Sequence, residues 1–223
     1  MAIYNAGYLS PIRKKLGNAV GRKWRTLDVL AVYQPFVSNP NTIAQRGVRA
    51  RFSSIAKIAM SMDSILQFSF EPLCKGTKVP VRSMFIKKNW ENVTLSDPTD
   101  PDGGCIADYQ SFILSDGGVV PAACGSLSFA TAQKVEVPLT DNTGGMALAT
   151  DKVVLAAYSP EAGYGILGMS ESSDRGDDDV ALTFPPAWNG HRVHVWAITF
   201  GKEGTANEGK ISESQYLGSG TVA

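Results

Sequence analysis

One stretch, Thr42 to Phe70, limits the architecture more than any other. Val48, Phe52, Ile55, Ala59, Met62 and Leu66 recur at steps of four, three, four, three and four, the spacing that lines side chains along one helix face. Arg46, Arg49 and Lys57 fall on another flank. A helix from Thr42 to Gln67 would be about 38 Å long at ~1.5 Å per residue. Two starts are open: Asn39 capping with Pro40 at the first helical position, or Thr42 capping with Gln45 three residues on. Gly47 is a weak point, costing about 1 kcal/mol relative to alanine. Met60 and Met62 read as core filler. The stripe is too short to require a coiled coil, so packing against a sheet is expected. Pro72 is expected to end the helix. A second, shorter helix is expected over Pro80–Asn89, with Val81, Met84 and Phe85 turned inward.

The helical pattern is flanked by two different kinds of sequence. Residues 1–37 form a basic arm of strand character, punctuated by Gly7, Gly17 and Gly21. It carries Arg13, Lys14, Lys15, Arg22, Lys23 and Arg25 around Trp24. Beyond the loop Ser96–Gly104, rich in Asp, Pro and Gly, the periodicity becomes two with frequent turns. Strands are expected near 105–115, 125–130, 133–139, 151–158, 163–169, 179–184, 191–200 and 214–222. His194, Trp196 and Ile198 alternate with Val193, Val195 and Ala197, which suits a central strand buried on both faces. The expected class is α+β: a basic arm and long amphipathic helix (1–95) attached to a mainly antiparallel, immunoglobulin-like β-sandwich (96–223).

A formal net charge of zero conceals a separation of charge. Residues 1–90 hold 15 Lys or Arg against 3 Asp or Glu, a net of +12; residues 91–223 hold 6 against 18, a net of −12. Such polarity points to a basic surface that meets something acidic: nucleic acid, another protein, or the acidic half of a neighbouring copy. A head-to-tail contact of the last kind repeats without limit unless it closes a ring. The candidate partner-binding residues are Arg13, Lys14, Lys15, Arg22, Lys23, Trp24, Arg25, Arg46, Arg49 and Arg51. Against this stands the plainer reading, in which the glycines make hairpin turns and the cations are a solvated face.

No pattern of catalytic residues emerges. His191 and His194, three apart on a strand, would point to opposite faces and form no metal clamp. Cys74, Cys105 and Cys124 lack the spacing of a zinc site or of a disulfide framework. Asp174, Asp177, Asp178 and Asp179 make an acidic loop around Gly176. Carboxylates in such a cluster could take a calcium or magnesium ion, but the spacing is not that of an EF-hand, and the loop reads first as solvated or as a contact for a basic arm from another copy. Glycine runs match neither a phosphate-binding loop nor a dinucleotide fingerprint, and Gly163-Tyr164-Gly165 reads as a hairpin tip. No cofactor or metal is expected. No stretch approaches the ~18 apolar residues of a membrane span, and Met1–Ser10 lacks the pattern of a secretory leader.

Three stretches carry a family likeness: Gly17-Asn18-Ala19-Val20-Gly21-Arg22-Lys23-Trp24-Arg25; Asn39-Pro40-Asn41-Thr42 with Ala44-Gln45 and Arg51-Phe52; and Val193-His194-Val195-Trp196 through Ser212, Ser214 and Tyr216-Leu217-Gly218. Together they resemble an uncharacterised domain-of-unknown-function family of Bacteroidota chromosomes and of the phages that infect them. The loop Asp97–Gly104 and the run Asp177–Asp179 depart from it. The resemblance brings no catalytic residue. Its phage setting implies a virion component, such as a head decoration, connector or tail protein, made in the host cytoplasm.

The expected function is therefore that of a non-enzymatic structural subunit, binding copies of itself or other structural proteins of an assembly. The alternatives are a cytoplasmic nucleic-acid-binding protein that uses the basic half, and an extracellular filament subunit that donates its arm as a strand.

Overall fold

A computed structural model describes residues 2–3, 14–24, 27–33, 36 and 41–223. They fall into two compact units, Met1–Thr42 and Ile43–Ala223. The first is a four-stranded antiparallel sheet of β1 (Ala2–Ile3), β2 (Lys14–Leu16), β3 (Ala19–Trp24) and β4 (Leu27–Val32), in the order β1-β4-β3-β2. Gly17 and Asn18 make a two-residue turn between β2 and β3. Gly17 sits at φ 58°, where a Cβ would be strained. Tyr33 N–H closes the next register on Asn18 O at 2.7 Å. Gly17 thus serves as a turn, as the plainer reading of the arm has it, whereas Gly21 lies within β3, opposite Leu30, and Gly7 is outside the described residues.

The second unit begins with three helices: α1 (Ile43–Ser61), α2 (Asp63–Cys74) and α3 (Val81–Lys88). Short strands β5 (Val93–Leu95) and β6 (Cys105–Ala107) pair as a hairpin around the Asp-rich loop. Then come β7 (Ala123–Cys124), β8 (Lys134–Thr140), β9 (Lys152–Ser159), β10 (Tyr164–Leu167), β11 (Ser173–Asp174), β12 (Asp179–Thr183), β13 (Arg192–Phe200) and β14 (Gln215–Thr221). They build an antiparallel sheet of order β10-β9-β13-β14, with β11 also on β9, and a smaller antiparallel sheet of order β12-β8-β7. The helices, the larger sheet and the smaller sheet form three successive layers.

The alternation along β13 explains the layering. Trp196 and Ile198, with Val154, Ala156 and Tyr158 of β9, enter the cluster formed by Ile55, Ala59, Met62, Ile65, Leu66 and Phe70 of the helices. Val193, Val195 and Ala197, with Val153, Leu155 and Ala157, enter the other cluster, with Val135 and Val137 of β8 and Val180 and Leu182 of β12. A strand buried on both faces needs a near-continuous apolar run, and β13 has one from Val195 to Ile198, with His194 and Thr199 on either side of it. The fold is mixed α+β with antiparallel sheets, as expected. The finer immunoglobulin-like description is not carried by this strand order, because helices cover one face of the larger sheet.

Three local expectations are corrected. The single long helix is two: Met62, at φ −100° and ψ 16°, interrupts it. The hydrogen-bond ladder survives the joint, with Met62 N–H on Ile58 O and Leu66 N–H on Met62 O, both at 3.0 Å. Pro72 does not end α2, which runs to Cys74; the proline lies in the last turn, where the ladder is nearly finished. Finally, the apolar stripe is buried only from Ile55 onward, whereas Val48 and Phe52 are 56% and 53% exposed. The second half of α1 and α2 lie over the sheet. The first half rests on β5 through a different side. There a Cβ on Gly47 would meet Leu95 Cδ1 at 2.9 Å, so the glycine permits the close approach.

Of the expected strands, 105–115 is only three residues long before a helical turn, and 125–130 is not a regular strand. The other six are present. The domain boundary expected near residue 95 lies within the second unit, at the end of β5.

Candidate interaction surfaces

Lys14, Lys15, Arg22 and Lys23 of the arm occupy strand positions. Lys15 of β2 is exposed and its ammonium lies 3.9 Å from the centroid of the Tyr33 ring, a cation–π contact. Arg22 and Lys23 are exposed on β3, opposite Val29 and Asp28 of β4. Neighbouring positions of a strand face opposite ways, so the two put positive charge on both faces of the sheet. Lys14 and Trp24 lie on β2 and β3 by their backbones. Their side chains, and all of Arg13 and Arg25, are outside the described residues.

The helix arginines behave differently. Arg51 is held within the body: its Nε donates to Val93 O at 2.8 Å and its Nη2 to Trp90 O at 2.7 Å. Its guanidinium lies over the Trp90 ring at 4.5 Å, and Glu91 stands 3.4 Å away. Arg46 pairs with Asp102. These two tie α1 to the segment around β5 and β6, whereas Arg49 and Lys57 sit on the exposed side of the helix. Arg51 therefore chiefly braces the fold, whereas Arg22 of the arm is exposed on its strand.

The acidic loop is an ordered turn. Asp174 N–H donates to Asp177 Oδ2 at 2.7 Å, and Asp177 N–H to Asp174 O at 3.0 Å. Lys152 pairs with Asp174 at 2.7 Å. Asp177, Asp178 and Asp179 are exposed. Among the described residues no group of three or more His, Cys, Asp or Glu side chains is arranged to hold a metal ion.

Between those aspartates lies a residue that pattern reading misses. Arg175 is fully buried. Its Nη1 donates to Asn142 Oδ1 at 2.9 Å and Pro121 O at 3.3 Å; its Nη2 donates to Val120 O at 2.5 Å and Asp151 Oδ2 at 3.3 Å. Asp151, also fully buried, accepts from Asn207 Nδ2 at 3.0 and 3.1 Å and from Leu148 N–H at 3.0 Å. Asn207 Nδ2 reaches Met146 O as well, at 2.8 Å. One guanidinium thus ties together the loops 118–122, 141–151 and 201–210. A lone arginine in an aspartate run carries no periodic signal; only the scarcity of cations in the second half marks it.

At the other end of the sheet, His194 joins an aromatic group. Its ring lies 4.5 Å from that of Tyr109, and its Nδ1 is 3.0 Å from Tyr216 Oη. Burial and nearby Arg192 push its pKa down to about 4. Burial, with Tyr158 beside it, raises Tyr109 to about 12. His191 lies in the loop before β13, not on the strand, which begins at Arg192. Gly163, at φ 73°, closes the β9–β10 hairpin, as its motif suggests. A groove of about 550 Å³ runs past Phe68, Glu71, Pro72, Cys74 and Gly209; Cys74 is a free thiol whose pKa burial raises.

No helix among the described residues is long and apolar enough to cross a membrane. Residues 11–218 match a family described as a family of unknown function, DUF6266. This bears out the resemblance to an uncharacterised family. No curated protein matches the chain.

Proposed function

We propose, for a chain that belongs to the DUF6266 family of unknown function, that it is a non-enzymatic structural subunit of a macromolecular assembly, of the kind found in phage virions as head decoration, connector or tail protein. The observation that carries this reading is the opposite charge of its two compact units. Met1–Thr42 holds 6 basic and 1 acidic residue, a net of +5, and Ile43–Ala223 holds 15 and 20, a net of −5. Exposed Lys15, Arg22 and Lys23 suit an acidic partner surface, and the turn Asp174–Asp177 offers one on a second copy. Charge of this kind steers association and sets its register more than its strength. Light scattering of the purified chain across a salt series tests the reading: association at low salt should weaken as salt rises. A monomer at high concentration and low salt, together with recovery of no structural partner from its source, would overturn it.

A second reading takes the same cations as a nucleic-acid surface. Lys15, Arg22 and Lys23 on a small sheet favour it, since phosphate contacts need only exposed charge. Affinity for DNA or RNA would then fall steeply with salt, and negligible binding at low salt removes it. The filament variant draws on β2, which pairs only with β3 among the described residues and so leaves an edge for strand addition.

A further inference from the structure

We infer that α1 carries the socket for the acidic loop end of a second copy, making a head-to-tail contact between second units. This rests on the reading of the chain as a self-assembling subunit and names the surfaces involved. On α1, Val48, Phe52 and Met60 are 56%, 53% and 62% exposed. With Ala56 they follow one another at steps of four, which forms a single ridge. Arg49 and Lys57 lie beside it, both exposed.

The acidic end has the complementary composition. Met146 and Val120 are 64% and 41% exposed there, and Asp141, Asp177, Asp178 and Asp179, on the segments next to Asn142 and Arg175, are exposed too. The surface is set in advance, because Arg175 holds Val120 O and Asn142, and Asn207 holds Met146 O. Preorganisation of this sort lowers the entropic cost of binding.

Placement then decides the partner. The acidic turn is tied to Lys152 at the start of β9. The helix α1 is tied to β5 and β6, and Tyr109, just beyond β6, packs on Tyr158 at the end of β9. The two surfaces therefore lie toward opposite ends of β9, an eight-residue strand about 23 Å long at ~3.3 Å per residue. They cannot meet within one second unit. A symmetric α1-to-α1 contact would bring exposed Lys57 against its own copy. The contact that satisfies both charge and apolar area is α1 of one copy on the acidic end of the next, which is heterologous and repeats.

Sedimentation velocity at low salt tests this with the full chain. Phe52→Ser and Lys57→Glu together should weaken self-association about tenfold or more, and so should Asp178→Lys with Asp179→Lys. An equimolar mixture of these two variants holds one wild-type pairing and one pairing with swapped charges, and should associate more strongly than either variant alone. A chain carrying Lys57→Glu and Asp178→Lys should recover association, because the swapped charges meet again. Circular dichroism melts verify folding, and should the loop variant fail to fold, the α1 variant alone still decides. If the wild type associates and the α1 variant matches it, this contact is wrong while assembly through the arm stands. If the mixture associates no more strongly than either variant alone, the pairing of these two surfaces is wrong. A wild type that never self-associates overturns both this inference and the self-copy form of the proposed function.

Discussion

Arg175 is an expensive residue to bury. Desolvating a guanidinium and a carboxylate costs several kcal/mol each, and their attraction repays this only when further hydrogen bonds complete the shell. Here three carbonyl or amide oxygens and Asp151 accept from the two Nη groups, Nε alone finding no partner among the described residues, while Asn207 and Leu148 N–H complete the carboxylate. Replacing one partner strands the other. Arg175→Met is therefore expected to lower unfolding free energy by about 3–5 kcal/mol in a denaturant titration. Arg175→Met with Asp151→Asn should cost less than Arg175→Met alone, because no unpaired charge then remains. His194 gives a different signature. Its folded pKa, about 4, lies below its ordinary value of 6.5. Between those values the unfolded chain binds the extra proton, so stability is full above about pH 6.5 and falls as pH drops toward 4. The ring is partly exposed, so the full shift is discounted to about 2 kcal/mol. Denaturation midpoints measured from pH 7 to pH 4 should show this loss, and His194→Gln should flatten that part of the profile.

At the scale of elements, α1 shows what periodicity can and cannot reveal. The spacing of Val48, Phe52, Ile55, Ala59 and Met62 correctly places them on one helix face. Burial of that face depends on what lies opposite, and this changes along the helix. Near Ile55 the sheet is opposite; near Val48 the helix rests instead on β5 through Gly47 and Arg51. Ile55→Ala should thus cost about 2–4 kcal/mol, whereas Phe52→Ser should stay within about 0.5 kcal/mol, and parallel urea titrations would separate the two. The strands were more legible, because β8, β9, β12, β13 and β14 carry long apolar or alternating runs bounded by turns. The two-residue strands β7 and β11 carry too few side chains to show a period. Asn89, fully buried, escaped notice for the same reason as Arg175. It donates to Phe85 O and Ile113 O and accepts from Ile113 N–H, a long-range role that no local pattern encodes.

At the scale of the whole molecule, the charge separation was legible in composition but its structural boundary was not. Counted to residue 90, it includes Arg46 and Arg51, which are occupied in bracing α1 against Asp102, Trp90 and Val93. Counted by compact unit, the charges are +5 and −5, and the division lies at Thr42. That difference changes what should be mutated. Reversal of Arg51 would strip hydrogen bonds from Trp90 O and Val93 O and damage the fold, so lost assembly would carry no information about contact. Arg22→Glu with Lys23→Glu touches only exposed positions of β3. If the arm binds an acidic partner, this pair should remove the arm's share of the salt-sensitive association and leave the melting temperature of the Ile43–Ala223 unit unchanged. Arg51→Glu should instead lower that melting temperature, with or without a partner. Calorimetry alongside light scattering separates the two effects, and unchanged association of the Arg22→Glu/Lys23→Glu variant would remove the arm from the interface.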